Sequence, residues 1–178
     1  MNKYPLLIIT LLSLVILASG CVSNNNLNQT KTYSQNGIYF VYNGTWEIAN
    51  TSSTNAVTGV GDPNTVNSQT HEPNTFVIIQ KPNVTMNTDL QMAYTQNYAT
   101  FFNNTSNMPI SEANITLNNN TALENTYITT SDGAQSEMMA VWVSQNGQIY
   151  VILCGAPPNN FENQQKNFNI IINSFKLQ

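Results

Sequence analysis

Four segments of alternating polarity follow one another in the second half of the chain, and they constrain the fold more than any other feature. Their period of two residues is typical of β-strands with one buried face, and they run from Ile110 to Leu117, Ala122 to Thr129, Gln135 to Ser144 and Gln148 to Leu153. Short turn signals separate them, and the last is Asn146-Gly147, a pair that favours a tight hairpin. The sequence therefore predicts a four-stranded antiparallel meander.

Two segments with a helical period flank this meander. The first is predicted to begin at a cap on Thr88 or Asn87, with Asp89 in its first turn. One face of it is apolar and mostly aromatic, formed by Leu90, Ala93, Tyr94, Tyr98, Phe101 and Phe102. The second is predicted from Phe161 to about Ser174. An antiparallel β-sheet flanked by helices is an α+β fold.

The first half of the chain is predicted to add strands and one long loop. Aromatic and β-branched residues favour strands at Gly37–Tyr42, Thr45–Ile48 and Thr75–Gln80. Residues 49–74 are rich in asparagine, threonine, serine, glycine and proline, which predicts a loop with one short strand near residues 56–60.

The first twenty residues predict a targeting segment. Lys3 supplies a positive charge, residues 5–17 are apolar, and small residues precede Cys21. A helix from Pro5 to Gly20 reaches about 24 Å, short of the roughly 30 Å hydrocarbon core of a bilayer. The run Leu17-Ala18-Ser19-Gly20-Cys21 resembles the lipobox of lipoproteins, although Ala18 stands where a large aliphatic residue is usual. The alternatives are an ordinary cleaved signal and an uncleaved short anchor.

The predicted organisation is a signal peptide at 1–20, a lipidated tether at 21–35 and a single domain at 36–178. A diacylglyceryl or palmitate anchor on Cys21 would hold the domain on the outer face of a prokaryotic cell membrane, with an archaeal cell as one candidate. Two acyl chains are enough for stable anchoring.

Charge limits the partners that this chain can bind. Charged residues make up 8% of it, no arginine occurs, and the formal net charge is −4. Nucleic-acid binding depends on lysine and arginine that neutralise phosphates, so no nucleic-acid partner is predicted. The same shortage excludes a polybasic grip on anionic lipids.

No catalytic site, cofactor or metal site is predicted. The single histidine, His71, lies near Asp62 and Glu72, but this spacing matches no pattern of metal ligands. A hydrolase triad would need His71 and a nucleophile motif that is absent. The carboxylates are scattered at turns and helix starts, and phosphate-binding glycine motifs are absent. The sequence therefore predicts a protein that is not an enzyme.

Two further residue types invite functional hypotheses. Cys154 lies in an apolar, strand-forming run and has no partner if Cys21 is lipidated, so it is predicted to be a core residue. Eight asparagines begin glycosylation acceptor sequences, a number close to the chance expectation for this composition: Asn28, Asn43, Asn50, Asn83, Asn103, Asn104, Asn114 and Asn119. Glycosylation of an exported surface protein is therefore a hypothesis, which this count alone does not demonstrate.

Three local motifs resemble the PsbP family, named for an extrinsic subunit of the photosynthetic oxygen-evolving complex. They are the aromatic strand and tryptophan at residues 37–46, the run at 147–152, and the terminal helix that ends in Ser174-Phe175-Lys176. The family proline expected near Asn43 is missing. The resemblance implies a PsbP-like α/β/α sandwich and a non-catalytic, accessory role beside a membrane complex.

The predicted function is therefore that of a non-enzymatic, membrane-anchored surface lipoprotein with an accessory or protein-binding domain. The alternative is a receptor domain that binds a small ligand between the sheet and the 49–74 loop. The aromatic face of the first helix is interpreted as core, with a ligand cleft as its alternative. The adjacent Met138 and Met139 are expected on opposite faces of one strand.

Overall fold

The computed structural model describes residues 29–49, 51, 55–103, 106–131 and 133–178. These residues form ten β-strands and two α-helices. The predicted signal peptide, Cys21, and the acceptor residues Asn28, Asn50 and Asn104 lie outside the described residues.

Seven strands form one antiparallel sheet in the order β3-β4-β5-β9-β8-β7-β6. Their bounds are Glu47–Ala49 (β3), Ala56–Gly61 (β4), Phe76–Gln80 (β5), Asn107–Leu117 (β6), Asn120–Ser131 (β7), Ala134–Gln145 (β8) and Gln148–Ala156 (β9). The predicted meander is confirmed as β6 to β9, and the predicted short strand near residues 56–60 is confirmed as β4.

Tight turns fix the register of this meander. Asn146 and Gly147 both have positive φ angles, 50° and 73°, and so do Asn118 and Asn119, with 51° and 64°. Two successive residues with positive φ make the mirror-image turn whose twist matches that of a β-hairpin. Asparagine tolerates this conformation better than most residues, and glycine adopts it without strain.

A second, three-stranded sheet has the order β1-β2-β10, with bounds Thr30–Gln35 (β1), Ile38–Asn43 (β2) and Lys176–Leu177 (β10). The strand β1 corrects the predicted tether, because residues 30–35 pair with β2 instead of extending freely. Only Tyr33 of β1 is buried, where it stacks on Phe40 at 5.0 Å. A strand with one buried side chain carries no alternating pattern, so the polar sequence resembled a linker.

The strand predicted at Thr45–Ile48 begins two residues later, at Glu47, and ends at Ala49. Trp46 lies between the sheets and is 1% exposed, with its ring 6.3 Å from that of Phe168. The strand β3 begins only at Glu47 and pairs with β4 in the large sheet. The chain therefore changes sheets at this tryptophan.

The helices α1 (Leu90–Phe102) and α2 (Pro158–Ser174) complete the layers. The main core joins α2 and the small sheet to the large sheet, and a second cluster lies on the other face, where Phe102 of α1 packs against it. Met139 belongs to the first cluster and Met138 to the second, which confirms that they point to opposite faces. The α+β class and the α/β/α layering are thus confirmed.

The starts of the two helices differ from the prediction, and one strand is new. Asp89 is the cap of α1 and accepts a hydrogen bond from the Met92 amide at 2.9 Å, so Thr88 and Asn87 lie outside the helix. The helix α2 begins at Pro158, three residues early, because proline suits the first turn of a helix. The strand β10 was not anticipated. Within the described ranges, neither helix combines the length and the hydropathy needed to cross a membrane.

Candidate functional site

A cleft of about 260 Å³ lies between α1 and the face of the large sheet that α1 covers. Six aromatic side chains line it, and we call it the aromatic cleft: Tyr94, Tyr98, Phe101, Phe102, Tyr127 and Trp142. The strands β8 and β9 add apolar side chains, and carboxamides come from Asn125 of β7 and from Asn55, Gln80 and Asn97. In the part of the chain that the structure describes, no residue lining this cleft carries a formal charge.

The helix α1 supplies four of these rings because of its spacing. Residues 94, 98, 101 and 102 fall on one side of a helix with 3.6 residues per turn. Tyr94 meets Trp142 edge to face at 5.8 Å, and Phe102 meets Tyr127 edge to face at 5.6 Å. Such perpendicular ring pairs are favourable beyond the area that they bury. The predicted aromatic face is therefore only partly core, since Phe101 stays 39% exposed.

A hydrogen bond ties α1 to the edge strand β6. The Tyr94 hydroxyl donates to Glu112 Oε2 at 2.7 Å, a short bond to a carboxylate. Burial, followed by this bond, raises the pKa of Tyr94 well above its ordinary value. Burial and Glu112 likewise raise the pKa of Tyr98, and burial raises that of Tyr127 to about 12. The phenols of the cleft thus stay neutral near pH 7.

Asn125 is the one feature of the cleft that packing alone does not explain. Its side chain is 5% exposed, and no described residue provides a hydrogen bond to its Oδ1. A buried amide oxygen without a partner loses its hydration and gains nothing in return. Sequence reasoning missed this residue, because it is one of 30 asparagines and the strand pattern alone gave it no distinction.

Asp62, His71 and Glu72, the potential metal ligands of the 49–74 loop, are not part of any ligand cluster among the described residues. Asp62 Oδ1 caps a short 3-10 turn by accepting from the Asn64 amide at 3.0 Å. His71 and Glu72 are exposed, and among the described residues no group of three potential ligands comes together. His71 and Glu72 line a separate cavity of about 310 Å³, which also contains Ile48, 56% exposed, and Val66, 46% exposed.

Cys154 is a core residue, as predicted, because it is fully buried in the main core. Burial, with a smaller contribution from the charge of Glu124, raises the pKa of its thiol. A thiol in this environment stays protonated and makes a poor nucleophile.

The described acceptor asparagines differ in exposure. Asn83, Asn103, Asn114 and Asn119 are exposed. Asn43 is half-buried, and its Nδ2 donates to Asn167 Oδ1 at 3.0 Å, so a glycan there would have to fit beside this contact between β2 and α2. Glycosylation stays a prediction at every one of these positions.

Comparison with known proteins places this fold. A family model described as PsbP-like protein matches residues 18–177. The solution structure of cyanobacterial PsbP (CyanoP) from Synechocystis is similar over 89% of this chain and 98% of that chain, with 12% identity and a TM-score of 0.62.

The crystal structure of LpqN, a protein involved in cell envelope biogenesis of Mycobacterium tuberculosis, is similar over 84% of this chain and 91% of that chain. Its identity to this chain is 14% and its TM-score 0.53. At these identities the likeness concerns the fold. No curated protein matches the sequence.

Proposed function

Because the chain belongs to the PsbP-like protein family, we propose that it is a non-catalytic surface lipoprotein that serves another membrane component as an accessory domain. A lipid on Cys21 would hold it on the outer face of the cell membrane. The observation that carries the proposal is the small number of residues between this cysteine and the first strand, since β1 begins at Thr30. Nine residues span at most about 30 Å, which keeps the domain close to the bilayer.

The chemistry of the described residues supports the non-catalytic part of the proposal. The phenols of the aromatic cleft have raised pKa values, and the Cys154 thiol is buried with a raised pKa. His71 lies outside this cleft, in the 49–74 loop. General acid–base or nucleophilic catalysis needs such groups close together and near their working protonation state.

Exposed apolar side chains offer a contact surface for a partner. The end of α1 lies near the start of β6, because the Asn107 side chain donates a hydrogen bond to the Phe101 carbonyl at 3.0 Å. Met108 and Ile110 follow in β6 and are 51% and 55% exposed. We call Met108 and Ile110, two exposed apolar residues near the start of this edge strand, the α1–β6 corner. Large apolar side chains grouped at a surface favour protein contact, and the short tether favours a partner that is itself in the membrane.

Cell fractionation and cross-linking test the proposal. The full chain should be found in membranes, and the Cys21→Ala variant should leave them. Cross-linking in intact cells followed by purification should recover one reproducible membrane protein. The double variant Met108→Glu/Ile110→Glu should lose it, whereas Met86→Glu, at a site 61% exposed and outside the corner, should keep it. Loss of the partner in the control but not in the corner variant would refute the assigned surface, and membrane retention of Cys21→Ala would refute the lipid anchor.

Binding of a small ligand is the second candidate function. The aromatic cleft favours it more than the predicted site at the 49–74 loop, because only the cleft contains a buried polar group without a partner. Among the described residues the other such group is Thr75 Oγ1, which lines neither cavity.

A further inference from the structure

We propose that the aromatic cleft binds a small, uncharged aromatic compound that donates one N–H or O–H hydrogen bond to Asn125 Oδ1. The proposal deepens the second candidate function, and it depends neither on the lipid anchor nor on a protein partner. The cleft supplies three properties that define this ligand: its walls, its lack of charge and its one unpaired acceptor.

The walls select a flat apolar ring. Aromatic side chains contact another ring favourably through their faces and edges. Val151 and Leu153 of β9 add an aliphatic surface to the same cleft. An enclosed apolar cavity of about 150 Å³ is enough to hold benzene, so the 260 Å³ available here can hold a ring of one or two cycles. Phe101, partly exposed, lies at the mouth of the cleft, where a ligand would enter.

The lack of charged lining residues excludes an ionic ligand. A buried charge needs an opposite charge or several hydrogen bonds to offset its lost hydration. Glu112 is the acidic group that approaches α1, but its carboxylate already accepts the Tyr94 hydroxyl. A neutral ligand therefore loses less hydration free energy than a charged one when it enters this cleft.

The unpaired acceptor defines the polar group of the ligand. The cross-strand neighbours of Asn125 are Glu112 on β6 and Ala140 on β8. The carboxylate of Glu112 can only accept hydrogen bonds, as it does from Tyr94, and Ala140 has no polar side chain. A carbonyl oxygen of an amide accepts hydrogen bonds, so its missing partner is a donor. Asn55, Gln80 and Asn97 also line the cleft, but none of them donates a hydrogen bond to Asn125 Oδ1.

Indole and indene test this assignment as a matched pair, because the two bicyclic rings are similar in shape and only indole carries an N–H. The full chain is placed in detergent solution in one chamber of an equilibrium dialysis cell. The same detergent is present in both chambers, so that partition into micelles cancels. We expect the protein to bind indole about tenfold more tightly than indene, the value of one buried hydrogen bond.

Two variants complete the experiment. Asn125→Leu should reduce indole binding to the level of indene. Thr75→Val, which removes the other buried unpaired oxygen away from the cleft, should leave both affinities unchanged. Equal binding of indole and indene, or a preference for indole that survives Asn125→Leu, would overturn the assigned hydrogen bond. Absence of binding for both rings would overturn the ligand site as a whole, and neither result would affect the anchor and partner tested in cells.

Discussion

Replacing Asn125 with leucine is expected to stabilise the domain, although the change inserts an apolar residue into a sheet face that carries the candidate site. The side chain is 5% exposed, and its oxygen has no partner among the described residues. An unpaired buried amide costs about 1–3 kcal/mol relative to a group that needs no partner. Leucine has the same number and branching of side-chain heavy atoms as asparagine, and it packs well against aromatic rings.

The expected gain in the free energy of unfolding is about 1–2 kcal/mol, since only the Oδ1 of this amide is both fully buried and without a partner. For a domain of this length, each kcal/mol shifts the melting temperature by roughly 2–4 °C. Thermal denaturation followed by circular dichroism should therefore show a rise of about 2–8 °C in the absence of ligand.

A bonded asparagine provides the matched control. Asn107 is 9% exposed, and its Nδ2 donates to the Phe101 carbonyl while its Oδ1 accepts from Thr129 Oγ1 at 2.7 Å. The variant Asn107→Leu leaves both partners unsatisfied and should lower the free energy of unfolding by about 1–3 kcal/mol. If Asn125→Leu instead lowers the melting temperature as Asn107→Leu does, Asn125 has a partner, such as a buried water, and the reasoning about the cleft fails.

Three further predictions follow from the contacts described above. Removing the bond between α1 and β6 with Tyr94→Phe should lower the free energy of unfolding by about 1 kcal/mol, because Glu112 is exposed and its charge is screened; a double-mutant cycle with Glu112→Gln that shows no coupling would contradict this. Burial raises the pKa of Glu124 above its ordinary value of 4.5, so the folded state keeps a proton that the unfolded state has lost. Stability should therefore fall as pH rises above about 4.5, and Glu124→Gln should flatten that fall in urea titrations across pH; equal slopes would refute it. Deletion of residues 176–178 removes β10 and should lower the melting temperature, whereas an unchanged value would show that β10 is dispensable.

The meander and the layers could be predicted because their signals are local. Strand β7 buries alternate residues over much of its length, β8 and β9 are buried on both faces, and β6 is the exposed edge. Turns such as Asn146-Gly147 leave few ways to connect these strands. The helix α1 was predictable from its aromatic period, and Met138 and Met139 followed from strand geometry alone.

The remaining features depend on contacts between distant parts of the chain. Tyr33 identifies β1 as a strand only once its stacking on Phe40 is known. Likewise, the place of Trp46 between the sheets depends on its contact with Phe168 of α2. The candidate site depends on such contacts even more. Alternation places Asn125 on a face of β7, but the partner that it lacks can be recognised only after α1 and Glu112 are in place.

The small sheet also determines when folding can finish. Its central strand β2 pairs with β1 near the start of the chain and with β10 at its end, and Ser34 Oγ donates to Gln178 Oε1 across this sheet. A ribosome makes the chain from the N-terminus, so the β1–β2 hairpin can form early while its third strand is still missing. Because β10 is made after all the other described strands, it closes this sheet late, and a chain that stalls before it keeps an open strand edge on β2, where pairing with other chains is possible.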